Sequence, residues 1–239
     1  MNREKLASDR FPPYPAANRL EQCLDLIFPP ICAGCRRVGR WICARCWTEM
    51  PWMYDWTCGV CGRLSATALC ESCQPISSPL VQLISVAAFD GPARDAIHAF
   101  KFHGLHAMSA VMGRLMASCT QTHQIDVVIH VPLHTSRRRE RGYDQSSLLA
   151  RSAARQLHIP WKSKALTRTR RTAQQARLSA DKRAANVAGA FRATSAWHGE
   201  HVLLIDDVST TGATLRAAAV ALQSAGAGEI TGLVFAKAL

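Results

Sequence analysis

Eight of the ten cysteines in this 239-residue chain fall into four Cys-x-x-Cys pairs between residues 32 and 73. A gap of two residues lets both thiolates approach one metal ion from a tight turn, whereas a disulfide framework does not need that spacing. The pattern therefore predicts metal sites rather than disulfides. The candidate zinc ligands are Cys32, Cys35, Cys43, Cys46, Cys58, Cys61, Cys70 and Cys73.

The order of the pairs allows two ways of closing the metal sites. Neighbouring pairs can each complete one Cys₄ tetrahedron, or the first pair can join the third and the second the fourth. The sequential arrangement is favoured because its connecting loops are short, and it predicts about two zinc ions per chain. Four thiolates leave no open position, which indicates a structural role, and iron–sulfur clusters usually have other cysteine spacings. Cys23 and Cys119 lie outside the pattern and are predicted to be buried, small apolar residues.

The composition divides the chain near residue 79. Residues 1–19 are polar and rich in proline, which predicts a loosely ordered N-terminal arm. Residues 20–78 hold the cysteine pairs and show little hydrophobic periodicity, so this zinc-binding region needs its metal in order to fold. Residues 79–239 alternate between strand and helix patterns. That alternation predicts an α/β domain with a mainly parallel, doubly wound sheet.

The predicted elements of the second domain follow from its hydrophobic pattern. Strands are predicted over residues 81–89, 127–133, 201–205 and 230–236, and helices over residues 91–102, 105–119, 144–157 and 214–225. Asp144 is the predicted N-cap of the third helix. Residues 134–143 are predicted to form a basic loop, and residues 166–189 a long polar segment.

The stretch VLLIDDVSTTGATL, residues 202–215, carries the sharpest chemical signal. Four apolar residues predict a buried strand, and Asp206 and Asp207 follow at its carboxyl end, where open α/β sheets bind ligands. A loop rich in hydroxyl groups then leads into a helix, whose first N–H groups form an anion site. A ligand with a diol bound to the carboxylates and a phosphate bound in the loop would have the groups of a ribose 5-phosphate. The predicted loop contacts are Ser209, Thr210, Thr211, Gly212, Ala213 and Thr214.

Positive charge is concentrated in one part of the chain. The chain has a formal net charge of +12, and residues 134–183 hold 14 Lys and Arg residues against three acidic ones. Arg137, Arg138, Arg139 and Arg141 follow a predicted strand, so they are expected to emerge at its carboxyl edge. Guanidinium groups beside a phosphate site favour binding of pyrophosphate or of nucleic-acid phosphates.

The chain resembles a known family over about residues 20–239. The string VLLIDDVSTTGATL resembles the phosphoribosyl-diphosphate signature of type I phosphoribosyltransferases. The cysteine pairs, FDGPARDAIHAFKFHG, VPLHTSRRRERGYDQS and the spaced series from Thr172 to Phe191 make the whole layout similar to the ComF/GntX family, and closest to its GntX branch. That family is linked to natural DNA uptake and to the use of extracellular DNA. One departure is Asp144, where the family commonly has Asn.

The resemblance implies a role for each matched residue. Asp206 and Asp207 would hold the ribose hydroxyls, with a magnesium ion accompanying phosphoribosyl diphosphate. Ser209 through Thr214, here called the Thr loop, would hold the 5-phosphate. The basic cluster beside this site separately predicts that Arg139 and Arg141 act with the acidic pair in catalysis. It also predicts that Arg137 and Arg138, together with Lys101, help the Thr loop to bind the substrate.

The sequence leaves three functions open. The first is a phosphoribosyltransferase whose acceptor is unknown. Any segment that covers the site and recognises a base would come from residues 20–102, which include the zinc-binding region. The second is a single-stranded DNA-binding or DNA-uptake adaptor protein with a vestigial ribose-phosphate site, where Trp41, Trp47, Trp52 and Trp56 would either stack bases or form core. The third is an interaction scaffold. The chain shows no apolar run of membrane-spanning length and no secretory signal, which predicts a cytoplasmic protein.

Overall fold

The computed structural model describes residues 29–53, 57–63, 65–76, 78–102, 105–120, 125–170 and 186–239. The predicted arm, Cys23, Trp56 and most of the series from Thr172 lie outside the described residues. Within them the strands are β1 (Leu80–Ala88), β2 (Val127–His130), β3 (Leu166–Arg168), β4 (Phe191–Ala193), β5 (Val202–Ser209) and β6 (Ile230–Lys237). The helices are α1 (Ala44–Thr48), α2 (Gly91–Phe102), α3 (Met108–Ser118), α4 (Thr135–Arg141), α5 (Gln145–Leu157) and α6 (Ala213–Gln223).

A four-stranded parallel sheet in the order β1-β6-β5-β2 forms the centre of the second domain. Alternate residues of β5 face opposite layers: Leu203 and Ile205 pack with α2, α3 and α5, whereas Val202 and Leu204 pack with α6 and the β3–β4 pair. Helices therefore cover both faces, which explains why β5 and β6 are apolar along most of their length. The predicted doubly wound α/β fold is confirmed.

The close packing of α3 on α5 depends on a glycine. A Cβ atom on Gly113 would overlap the side chain of Ser152, so a larger residue at this position would push the two helices apart. The N-terminus of α5 is capped as predicted. Asp144 Oδ1 accepts from the Ser147 N–H at 3.1 Å, and Asp144 Oδ2 accepts from the Leu133 N–H at 2.9 Å.

The basic segment predicted as a loop is instead the helix α4. His134 caps it by accepting from the Ser136 N–H through Nδ1 at 3.3 Å, and Gly142 ends it in the left-handed conformation with φ of 79°. None of its seven residues is buried. The run of arginines therefore has no apolar stripe to reveal a helix, and only its two ends carry a signal.

Two other predictions of strand length are wrong. The strand predicted over residues 201–205 extends to Ser209, because β6 continues to pair with it as far as Ser209 opposite Lys237. The strand predicted over residues 127–133 ends at His130. The polar segment predicted over residues 166–189 begins with β3, which pairs antiparallel with β4.

The zinc-binding region joins the edge of the sheet. Trp52 forms an antiparallel bridge with Ala87 of β1, and the Met53 N–H donates to the Val86 carbonyl at 2.9 Å. Trp47 and Trp52 pack edge to face with ring centroids 4.8 Å apart, and both contact the core together with Trp41. None of the helices in the described ranges reaches the length and apolarity that a bilayer crossing requires.

Candidate functional site

The acidic pair lies at the exit of the most buried part of the sheet. β5 is a central strand, and residues 202–205 are fully buried before Asp206 and Asp207 follow. Packing on both faces fixes the position of the strand end. Ligands of open parallel sheets bind outside the carboxyl ends of the strands, so the pair stands where a ligand is expected.

The two carboxylates have different partners. Asp206 Oδ1 accepts from the Ser146 hydroxyl at 2.7 Å and from the Asp207 N–H at 2.9 Å. Asp207 Oδ2 lies 2.9 Å from Lys101 Nζ in an ion pair whose side chains are 20% and 11% exposed. Burial, together with the negative charge of Asp207, raises the pKa of Asp206 to about 7. One carboxylate is thus neutralised by a lysine, and the other holds its proton up to neutral pH.

The loop after β5 turns sharply into α6. Gly212 has φ of +75°, a left-handed conformation that glycine adopts without strain, and Ala213 begins the helix. The hydroxyls of Ser209 and Thr211 are buried and lack a hydrogen-bond partner among the described residues. They stand beside the N-terminus of an 11-residue helix. Unpaired donors and a helix N-terminus together form a place for an anion.

Two basic side chains donate hydrogen bonds to carbonyl groups of this loop. Lys237 at the end of β6 donates through Nζ to the carbonyl of Thr210. Arg216 donates through Nη1 to the carbonyl of Thr211 at 2.7 Å, and the Ala238 N–H donates to the Ser209 carbonyl at 2.9 Å. The carbonyl groups of Ser209, Thr210 and Thr211 therefore each accept a hydrogen bond. The structure brings the six predicted loop residues, 209–214, together with the acidic pair.

The predicted pyrophosphate-binding arginines lie on α4, beyond the carboxyl end of β2. Arg138 and Arg139 are exposed, whereas Arg137 is half-buried. Arg141 donates through Nη1 to Gln145 Oε1 at 3.2 Å, and its guanidinium carbon lies 5.5 Å from the centroid of the Phe102 ring. Arg141 is thus held beside an aromatic ring that is 63% exposed.

Three residues beside the acidic pair were missed by sequence reasoning. Ser146 bonds Asp206, Lys237 supports the Thr loop, and Arg168 at the end of β3 lies in the electrostatic field of Asp206, Asp144 and Arg137. Burial lowers the pKa of Arg168, and the attraction of Asp206 opposes that effect. Ser146 could have been found from the sequence, because it is a polar residue on the face of α5 that is buried. Arg168 carried no such signal, because a three-residue strand is too short to show alternation.

The eight paired cysteines form two separate quartets. The first, Cys32, Cys35, Cys43 and Cys46, and the second, Cys58, Cys61, Cys70 and Cys73, each hold their sulfur atoms within 4.8 Å of one another. Cys61 Sγ lies 3.8 Å from Cys70 Sγ, which is about the edge of a tetrahedron with zinc–sulfur bonds of about 2.3 Å. The donor set fits zinc, and the sequential pairing is confirmed. Cys119 is half-buried against the core.

Comparison with known families agrees with both halves of this architecture. Residues 23–76 match the double zinc ribbon domain, and residues 144–238 match the phosphoribosyl transferase domain. The chain is therefore a protein with a phosphoribosyltransferase fold that follows two Cys₄ zinc ribbons.

Relatives define the family more closely. The chain is 36% identical over 220 residues to "DNA utilization protein YhgH" of Escherichia coli strain K12, covering 86% of this chain and 96% of that protein. It is 28% identical over 212 residues to "Competence protein F" of Haemophilus influenzae, covering 84% and 87%. "Competence protein ComFC" of Bacillus subtilis is 28% identical over 195 residues, covering 77% and 79%. The chain belongs to the ComF/GntX family.

Proposed function

We propose that this protein binds phosphoribosyl diphosphate, or a related ribose phosphate, at the carboxyl end of β5. The observation that carries this proposal is the conjunction at one strand end. Two adjacent carboxylates stand there with a loop at a helix N-terminus, and two buried hydroxyls of that loop have no partner within the described part of the chain. Carboxylates accept hydrogen bonds from a ribose diol, and the loop donates to a phosphate.

The residues around the pair suit the rest of the ligand. Lys101 pairs with Asp207, and Arg168 lies in the electrostatic field of Asp206, so both supply positive charge where a pyrophosphate group would lie. Asp206 and Asp207 carry the hard oxygen donors that magnesium prefers, and a bound magnesium ion would neutralise part of the pyrophosphate charge. Transfer to an acceptor would require electrostatic stabilisation of the departing pyrophosphate, for which Arg139 and Arg141 remain the proposed groups.

The names of the relatives suggest the cellular role. Proteins called "DNA utilization protein YhgH" and "Competence protein F" cover most of this chain, so we assign it to the uptake or use of extracellular DNA. Two sites of four free thiols suit a reducing compartment, and we place the protein in the cytoplasm. We divide the chain into an arm (1–19), a zinc-binding region (20–78) and a phosphoribosyltransferase-like domain (79–239).

A second candidate function is binding of single-stranded DNA, alone or as an adaptor to uptake machinery. The observation that favours it is the surface formed by Phe102, Arg141 and α4. An exposed aromatic ring stands beside a guanidinium group, and Arg138 and Arg139 are exposed on the same short helix. Aromatic rings stack bases, and nearby arginines neutralise phosphates.

Two titrations in a calorimeter separate these functions. The zinc-loaded protein is titrated with phosphoribosyl diphosphate in magnesium buffer, and separately with a single-stranded oligonucleotide at two salt concentrations. The first proposal expects saturable, stoichiometric binding of the diphosphate. Binding of the oligonucleotide alone, weakening steeply with salt, would replace it with the second function.

A further inference from the structure

The tight turn of the second zinc site is in contact with the phosphate loop. This turn, residues 58–62 and here called the second knuckle, presents the carbonyl of Val60 to Gly212. A Cβ atom on Gly212 would lie 3.0 Å from that oxygen and 3.6 Å from Cys61 Cα. Val60 is 4% exposed. The backbone of a zinc ribbon therefore forms one wall of the loop that is proposed to hold phosphate.

A second contact reaches the loop through Lys237. Gly62 of the second knuckle packs on the aliphatic stem of this lysine, and a Cβ atom on Gly62 would lie 3.3 Å from Lys237 Cδ. The ammonium group, two bonds further along the same side chain, donates to the Thr210 carbonyl. The second knuckle thus supports the loop at Gly212 directly and at Thr210 through Lys237.

Within the described residues, the buried apolar cluster around the second quartet is small. Its buried cluster consists of Cys58, Val60, Cys61 and Cys73, with Leu69 and Cys70 packed against it. The first quartet differs, because Cys32 and Cys46 belong to the large core that also contains Val86 and Phe100. A cluster of that size contributes little to fixing a backbone without its metal, although Gly59 and Gly62 also pack on Val81 and Leu83 of β1. The shape of the second knuckle therefore depends on zinc more than that of the first.

We infer that zinc in the second quartet, and not zinc in the first, positions the phosphate loop, so that zinc affinity at this site and ribose-phosphate affinity are coupled. The inference rests on the proposed function for its ligand, but the order of the loop can be measured with no ligand present. Coupling is reciprocal. The bound ligand must raise the affinity of the second quartet for zinc by the same factor by which that zinc raises the affinity for the ligand.

A matched pair of variants tests the inference. Cys43 and Cys70 are each the third ligand of a quartet, and both are half-buried. We expect Cys70→Ser, and not Cys43→Ser, to weaken phosphoribosyl diphosphate binding about tenfold or more. Without ligand, amide hydrogen exchange in residues 209–214 should quicken in Cys70→Ser only, while peptides of β5 and β6 before the loop stay protected. Equal affinity and equal exchange in both variants would overturn the inference.

Zinc release from the unsubstituted protein keeps the inference testable if Cys70→Ser does not fold. Release into a chromogenic chelator is followed with and without phosphoribosyl diphosphate. We expect one of the two zinc ions to leave about tenfold more slowly with ligand, and Cys43→Ser, which keeps the second quartet, to show that slowed phase. If zinc leaves equally fast with and without bound phosphoribosyl diphosphate, the coupling is overturned. Failure of the intact protein to bind the ligand rejects the proposed function instead, and the hydrogen-exchange comparison then decides the inference alone.

Discussion

At the residue scale, the electrostatics of the acidic pair are uneven. Asp207 is paired with Lys101, while Asp206 receives two hydrogen bonds and forms no ion pair with any residue that the structure describes. Burial and the charge of Asp207 outweigh those hydrogen bonds and raise the pKa of Asp206 from 3.8 to about 7. A site with this property favours a ligand that brings its own positive charge or donates hydrogen bonds to the carboxylate.

The raised pKa predicts a pH-dependent cost of folding. Between pH 4 and 7 the folded chain holds a proton on Asp206 that the unfolded chain has released, so stability falls as pH rises, by at most about 1.4 kcal/mol per pH unit. Asp206→Asn keeps an oxygen for the Ser146 and Asp207 donors and has no charge to bury. We expect the melting temperature of Asp206→Asn minus that of the unsubstituted protein to increase as the pH is raised from 5 to 7.5.

Glu140→Gln provides the control, because this side chain is exposed on α4. Its melting temperature should follow that of the unsubstituted protein across the same range. A constant offset between Asp206→Asn and the unsubstituted protein at every pH would contradict the raised pKa.

At the element scale, α4 and the end of β5 show what local sequence can predict. A run of four apolar residues, a hydroxyl-rich loop with a glycine and an apolar helical pattern made the strand, the loop and α6 visible, but Asp206 and Asp207 lie within β5 rather than after it. The helical state of α4 was hidden, because no residue of α4 is buried and periodicity reports only burial. The last part of β5 was also hidden, since its partner β6 is distant in sequence and determines where pairing ends.

The arginines of α4 give the second prediction. If Arg139 and Arg141 hold pyrophosphate, Arg139→Ala with Arg141→Ala should weaken phosphoribosyl diphosphate about 100-fold or more, at about 1.5–3 kcal/mol per charge-assisted hydrogen bond, and leave ribose 5-phosphate unchanged. If they hold DNA, the variant should instead reduce the salt slope of single-stranded DNA binding by about 0.7 per lost phosphate contact. Calorimetry with the three ligands distinguishes these results.

Arg168→Ala is the comparison for that variant, because Arg168 lies in the field of Asp206 and not on α4. We expect it to weaken the diphosphate as well. Equal losses for ribose 5-phosphate and its diphosphate in the Arg139/Arg141 variant would show that α4 does not contact pyrophosphate.

At the scale of the whole molecule, the zinc-binding region straddles one edge of the sheet. Residues 51–53 run along β1, the first quartet packs with the core below α2, and the second knuckle reaches the loop at the start of α6. The cysteine spacing predicted both quartets, because a metal site is a local pattern. Contacts such as Val60 with Gly212 join residues about 150 positions apart and leave no periodic trace in the sequence.

Elemental analysis of protein purified without chelator should find about two zinc ions per chain. Cys58→Ser should lose one of them and destabilise the zinc-binding region, because Cys58 is fully buried in the second quartet. Cys119→Ser, outside both quartets, should keep full zinc content and change the melting temperature little. Negligible zinc in the unsubstituted protein would contradict the assignment of both sites.

The central claim is that the acidic pair binds a ribose phosphate, and the double variant Asp206→Asn with Asp207→Asn tests it most directly. Its side chains keep the size of the originals, so we expect a cooperative melting curve and full zinc content. Calorimetry with phosphoribosyl diphosphate and magnesium should then show binding to the unsubstituted protein and a loss of about 100-fold or more in the variant, as expected for two charge-assisted contacts. Unchanged affinity in the folded variant would contradict the account and place the ligand elsewhere.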